Sequence, residues 1–128
     1  MAKLKMSVEA GNTLMVEGEA GVEVVSGRVE IFGYELESGA FRVDKFKALP
    51  LYVLDDAEVV IEGGKVWLVE ERTIPDEWAK AIDEIRKLEK PVKVAVIGGV
   101  DVGKSGFITF LVNNLLEDGG RVFIIDAD

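Results

Sequence analysis

The sequence predicts an α+β chain: an N-terminal all-β sandwich or barrel module over residues 1–72, a linker helix over 73–91, and the first strand–helix–strand unit of an α/β domain over 92–128. Three observations predict it. From Leu4 to Glu70 short apolar alternations are broken by turn residues, with no helical period. From Trp78 to Leu88 apolar residues recur at helical spacing behind a Thr-Ile-Pro-Asp start. From Val92 to Ile97 a β-branched run leads into glycines and then a second helical pattern.

Composition bounds the chemistry. The 128 residues include neither Cys nor His, which excludes disulfides, thiolate nucleophiles and imidazole bases, so acid–base work falls to carboxylates or lysines. The net charge is −9, of which residues 1–71 carry −7 and residues 72–128 carry −2, so the front half repels nucleic acid. Gln is absent and Asn occurs only at Asn12, Asn113 and Asn114, a bias associated with proteins of hot environments. No apolar run reaches the ~20 residues that span a membrane. The N-terminal residues Met1 to Met6 lack the apolar core of a signal peptide, so the expected location is cytoplasmic.

In the β module Leu4, Met6 and Val8 alternate before a turn at Gly11-Asn12, and Leu14 and Val16 alternate before turn residues at Gly18 to Gly21. Val22 to Val25 precede Ser26-Gly27, and Val29 and Ile31 precede Gly33. Phe41 and Val43 follow Ser38-Gly39, and Leu51 and Val53 follow Pro50. Gly63-Gly64 between β-branched runs predicts a two-residue hairpin. Turns at this interval argue a compact antiparallel sandwich or barrel, ending at Arg72-Thr73.

The linker helix is expected to be capped by Thr73, with Pro75 in the first turn, Asp76 and Glu77 complementing the dipole, and Pro91 as the stop. Its stripe of Trp78, Ala81, Ile82, Ile85 and Leu88 requires a packing partner. Trp78 is expected in that core rather than as a platform for a nucleobase.

The stretch Gly98-Gly99-Val100-Asp101-Val102-Gly103-Lys104-Ser105 has the G-x-x-x-x-G-K-S spacing of a phosphate-binding loop (P-loop), set between strand and helix. Glycines let backbone N–H groups converge on phosphate oxygens, and the following helix directs its positive end at the same place. Lys104 is expected on the β- and γ-phosphates and the Ser105 hydroxyl on Mg²⁺. The helix after the loop carries Phe107, Phe110, Leu111, Val112, Leu115 and Leu116 and stops at Gly119-Gly120. Arg121 to Ile125 reads as a second buried strand ending in Asp126-Ala127-Asp128, at the strand end where ligands of such sheets sit. A carboxylate there can join the Mg²⁺ shell or accept a proton from an attacking hydroxyl. One such unit is expected to be the opening of a larger domain, labile by itself.

Two stretches resemble the polynucleotide 5′-hydroxyl kinase family, which includes the kinase-like subunit of the mRNA cleavage factor and its archaeal relatives. Ser26-Gly27-Arg28-Val29-Glu30-Ile31-Phe32-Gly33-Tyr34-Glu35-Leu36 is similar to the family's G-x-x-E-I-F-G-x-E-L signature, and the Asp-Val-Gly-Lys-Ser loop with the terminal Asp-x-Asp resembles its catalytic motifs. The resemblance implies ATP-dependent phosphorylation of an RNA or DNA 5′-hydroxyl end, with ATP and Mg²⁺ as cofactors and an RNA-processing complex as partner. It implies catalytic roles for Lys104, Asp126 and Asp128, and Mg²⁺ contacts from Ser105 and Asp126. Nucleotide contacts are implied for Gly98 through Gly106 and, at the base, for Glu30 and Lys47. Gly106 departs from the family's usual Thr. By the resemblance the acceptor-binding surface and lid lie in further C-terminal parts, so this stretch is expected to be inactive alone. A non-catalytic ATP-binding scaffold in RNA processing and a GTPase-like P-loop protein remain the alternatives.

Overall fold

A computed structural model describes residues 3–97 and 104–122, the side chains of Lys104 and Ser105 excepted. The chain divides into two compact units, residues 1–31 with 35–73 and residues 32–34 with 74–128.

The strands are β1 (Lys3–Val8), β2 (Thr13–Ile31), β3 (Tyr34–Leu36), β4 (Gly39–Val43) and β5 (Ala48–Val69), all in the first unit save Tyr34. The order is β1-β5-β2-β3, with β4 also on β2. β1 runs antiparallel to β5, and β4 antiparallel to β2. β2 and β5 meet repeatedly with residue numbers running in opposite directions. Thr13 to Glu17 face Tyr52 to Ala48 and also Val69 to Lys65, Ala20 to Val24 face Gly63 to Val59, and Arg28 to Glu30 face Asp55 to Tyr52. A strand segment has two hydrogen-bonding edges, so β5 must fold back to reach both edges of Thr13 to Glu17. Straight, its 22 residues would span about 70 Å at ~3.3 Å each. Bent, it wraps a single core.

That core is the apolar alternation of the sequence: Leu14, Val16, Ala20, Val22, Val24, Val29, Val43, Leu51, Val53, Ala57, Val59 and Ile61, all buried. Each fully buried Leu or Val contributes roughly 1.5–3 kcal/mol. The expected breaks at Gly18 to Gly21, at Ser26-Gly27 and at the Gly63-Gly64 hairpin are corrected, because all three lie inside continuous strands. Gly63 and Gly64 do take the left-handed φ values a hairpin needs, +79° and +67°. The ladder nevertheless resumes beyond them: Ala20 faces Gly63 and Glu17 faces Lys65. Gly18 and Glu19 thus stand opposite Gly64 alone, which is a bulge. The bulge absorbs a slip in period, since the residues of β5 that face the core are odd-numbered through Ile61 and even-numbered at Val66. Gly27, at φ +84°, marks the same change in β2 between Val24 and Val29. The buried Thr13 hydroxyl donates to the Glu71 carbonyl at 2.6 Å and ties the strand's start to the unit's end.

The second unit contains α1 (Asp76–Arg86) and α2 (Lys104–Glu117). Thr73 does not cap α1: Pro75 holds the N-cap position without a side-chain bond, its carbonyl accepting from the Trp78 N–H at 3.1 Å. Asp76 and Glu77 occupy the first turn and Arg86 the last, the dipole-favoured arrangement. The helix ends at Arg86, well before Pro91. α2 stops where the glycines predict: the Gly119 and Gly120 N–H groups donate to Leu116 and Leu115, and Gly119 takes φ +83°, a Schellman cap. Ile74, Ile82, Phe110 and Leu111 are buried between the helices, with Phe32, Trp78, Ile85, Phe107 and Leu115 packed against them.

The strand expected over residues 92–97 is not formed. These residues take no regular structure, with Val94 exposed and Ile97 92% exposed. A run apolar on both faces encodes a strand with neighbours on each side and layers above and below. Among the described residues no strand pairs with it. Most of the second expected strand, from Phe123 onward, lies outside the described residues.

Candidate nucleotide-binding site

The loop residues Gly98, Gly99, Val100, Asp101, Val102 and Gly103 lie outside the described residues, as do Asp126 and Asp128. Lys104 and Ser105 are the first two residues of α2. The described part of the helix thus includes the Lys-Ser pair, and phosphate-loop chemistry needs unpaired N–H groups and the positive end of a helix close to such a pair. Among the described residues its N-terminal turn holds no acidic residue.

Gly106 follows within that turn. A β-carbon there would stand 3.1 and 3.3 Å from two ring carbons of Phe32 and 3.3 Å from Trp78. Trp78 is the hub of the aromatic cluster, with ring centroids 6.4 Å from Phe32, 5.4 Å from Phe107 and 5.8 Å from Phe110. It is a core residue of this unit, as its helical spacing predicts. Phe32 takes φ +45° and Gly33 φ +86°, a tight turn within the Glu-Ile-Phe-Gly signature. The Asn113 side-chain amide donates to the Phe32 carbonyl at 3.0 Å. Sequence reasoning assigned no role to Phe32 or Asn113. Their signals were the signature itself and an Asn pair inside an apolar helix. Arg86 joins α1 to the end of α2, bonding Asp118 at 2.7 and 3.3 Å and Asp83 at 3.1 Å. The Asp118 hydrogen bond raises its pKa above the ordinary arginine value, against a smaller lowering by burial.

The residues expected at the base, Glu30 and Lys47, belong to the first unit, and each already has a partner. Glu30 has a side chain only 12% exposed and accepts from Arg72 at 2.7 Å. The Arg72 guanidinium also lies 5.2 Å from the Tyr52 ring centroid. Lys47 is exposed and pairs loosely with Asp44 at 3.8 Å. It follows Phe46, an exposed aromatic at φ +67° with the Lys45 ammonium 5.2 Å from its ring centroid. Arg28 bonds Asp55 at 3.0 Å and reaches Glu35 at 3.4 Å, and the Asp55 hydrogen bond raises its pKa. Among the described residues no group of three or more acidic side chains could hold a metal ion, and no helix is long and apolar enough to cross a membrane.

Comparison with known proteins adds what geometry cannot. No family model matches the chain. Over 55 residues it is 46% identical to the polyribonucleotide 5′-hydroxyl-kinase of Pyrococcus abyssi and 44% identical to those of Thermococcus kodakarensis and Methanocaldococcus jannaschii. That stretch is 43% of this chain and 15–16% of each relative, so the chain matches only a small part of their length. Among solved structures, a chain of the wild-type Clp1p–Pcf11p complex superposes with TM-score 0.68 at 20% identity, over 91% of this chain and 30% of that one. A second Clp1p–Pcf11p structure, concerned with ATP loss in a glycine-to-arginine mutant, gives 0.65 at 22%. The fold is thus that of a β-rich portion with two helices as found in the Clp1p–Pcf11p structures. The resemblance to the polynucleotide 5′-hydroxyl kinases holds at the level of sequence as well: this chain has homologues among the archaeal polyribonucleotide 5′-hydroxyl-kinases.

Proposed function

We propose that these residues are the N-terminal portion of an ATP-dependent polynucleotide 5′-hydroxyl kinase, contributing the nucleotide-binding loop. The observation that carries this reading is that residues 104 to 117, directly after the Gly98 to Gly103 spacing, are helical, in a chain whose homologues are named as such kinases. Gly98 through Ser105 would wrap the ATP phosphates, with Lys104 compensating charge on the transferring phosphoryl. Mg²⁺, when bound, neutralises charge on the β- and γ-oxygens, and Ser105 and Asp126 are the residues that would hold it. In the reaction the acceptor O5′ bonds to the γ-phosphorus as the bond from that phosphorus to the β,γ-bridging oxygen breaks. ADP leaves, and Asp126, with Asp128 as its partner, would either take the hydroxyl proton or serve as a carboxylate of the Mg²⁺ shell. The acceptor is an RNA or DNA end held by parts beyond these residues, and an RNA-processing complex fits the likeness to Clp1p–Pcf11p. Phosphoryl transfer is mostly positioning and electrostatics, so without lid and acceptor site this stretch binds nucleotide without turning it over.

The test is titration of the 128-residue chain with ATP and with GTP, each with and without Mg²⁺, beside Lys104→Ala. Saturable Mg²⁺-dependent ATP binding that weakens at least about tenfold in Lys104→Ala, the loss of one charge-assisted contact, is expected. ATP binding indifferent to Lys104, or GTP bound more tightly than ATP, overturns the reading.

A further inference from the structure

Glycine is a poor helix former, and alanine is the better residue inside a helix unless something occupies the space of its β-carbon. At Gly106 something does. The three carbons that a β-carbon would meet, Cε1 and Cζ of Phe32 at 3.1 and 3.3 Å and Cη2 of Trp78 at 3.3 Å, all stand inside the ~3.5–4.0 Å optimum for carbon pairs. Both rings are partly buried and have aromatic neighbours. Trp78 is backed by Phe107 and Phe110, and Phe32 is stacked on Trp78.

The Phe32 turn is itself held in place at a cost. An aromatic residue at φ +45° is strained, and such strain persists only where surrounding contacts dictate it. Here the Asn113 amide bonds the Phe32 carbonyl. The next residue, Gly33, lies so close to α2 that a β-carbon would come within 2.8 Å of the Asn114 amide nitrogen. The missing β-carbon at 106, the strained φ at 32 and the amide bond from 113 are separate observations. All three concern how one turn meets one helix.

We infer that Phe32 and Trp78 form an aromatic seat for the N-terminal part of α2, and that residue 106 is glycine because a β-carbon there would have to displace these rings by a few tenths of an ångström. Phe32 and Trp78 are positioning residues: they set where the helix that carries Lys104 and Ser105 meets the phosphates of a nucleoside triphosphate. The ligand in this inference rests on the nucleotide-binding reading above, whereas the seat does not. A threonine at 106, the residue the family resemblance leads one to expect, would press its β-carbon on both rings. Gly106 therefore reports packing.

The experiment compares the 128-residue chain with Gly106→Ala, Phe32→Leu and the double variant, measuring Mg-ATP affinity by calorimetry and amide exchange over residues 106–111. Leucine removes both Phe32 carbons that obstruct position 106. Gly106→Ala should weaken ATP binding about tenfold and speed exchange in this turn, as overpacking does. The double variant should recover most of both losses. Slower exchange in Gly106→Ala, as helix propensity alone dictates, or a double variant no better than the summed singles, overturns the seat. Exchange that responds while ATP affinity stays constant overturns its positioning role. If the unaltered chain binds no ATP, the nucleotide reading fails and the exchange measurements still decide the seat.

Discussion

Gly64→Ala is the substitution that most directly probes the bend in β5. Gly64 holds φ +67°, a left-handed conformation that costs a residue with a β-carbon about 1–2 kcal/mol. Its β-carbon would also overlap the Glu17 carbonyl oxygen and stand 2.9 Å from the Ala20 β-carbon. Relieving that overlap by backbone shift costs a further ~1–3 kcal/mol. The total is about 2–5 kcal/mol. For a unit of about 70 residues this lowers the midpoint of thermal unfolding by at least roughly 10 °C. Gly11→Ala is the control, since Gly11 has φ +92° but no atom within 4 Å of its β-carbon, so only the conformational part, about 1–2 kcal/mol, applies. Urea unfolding of both variants, followed by far-ultraviolet circular dichroism, measures the difference. Equal destabilisation within about 0.5 kcal/mol would show that Gly64 does not approach Glu17 and would refute the bulge.

Ile82→Ala removes the most buried side chain of α1 and should cost about 2–4 kcal/mol, visible as faster amide exchange across α1 and α2 with β2 and β5 unchanged. Equal acceleration in the β strands would contradict the division into two units. Arg86 has a raised pKa, so its pairing with Asp118 stabilises fully below the ordinary arginine value and is lost only as pH rises through the raised one. The stability difference between the unaltered chain and Arg86→Gln should thus stay constant from about pH 7 to 10 and remain below ~1 kcal/mol for so exposed a pair; a steady decline over that range would count against the assignment.

Local patterns were legible where the physics is local. The 3.6-residue period marked both helices, and Gly119-Gly120 marked the end of α2, because the αL cap is a property of the backbone at those residues. The alternation from Leu14 to Ile61 named most of the β core, since side chains of a strand alternate whatever it pairs with. Less was legible at the candidate site. Lys104 and Ser105 are helical, and the loop before them lies outside the described residues. The bond from Arg72 to Glu30, 42 residues apart, had no sequence signal.

What the sequence determined by itself was a set of backbone preferences: which glycines take positive φ, where α2 stops, which residues of the β module seek burial. What only the tertiary structure decided was the use made of them. Gly63 and Gly64 are left-handed in a hairpin and in a bulge alike, and the choice depended on β2 continuing alongside beyond them. Residues 92–97 carry the composition of a buried strand and stand unpaired, because a strand's hydrogen bonds and burial come from its neighbours. Gly106 stands in the sequence as a departure from the family's usual Thr, and in the structure as a position closely faced by two rings, one of them 74 positions earlier in the chain. Dihedral preference belongs to a residue, but the partner that uses it is chosen by the whole chain at once.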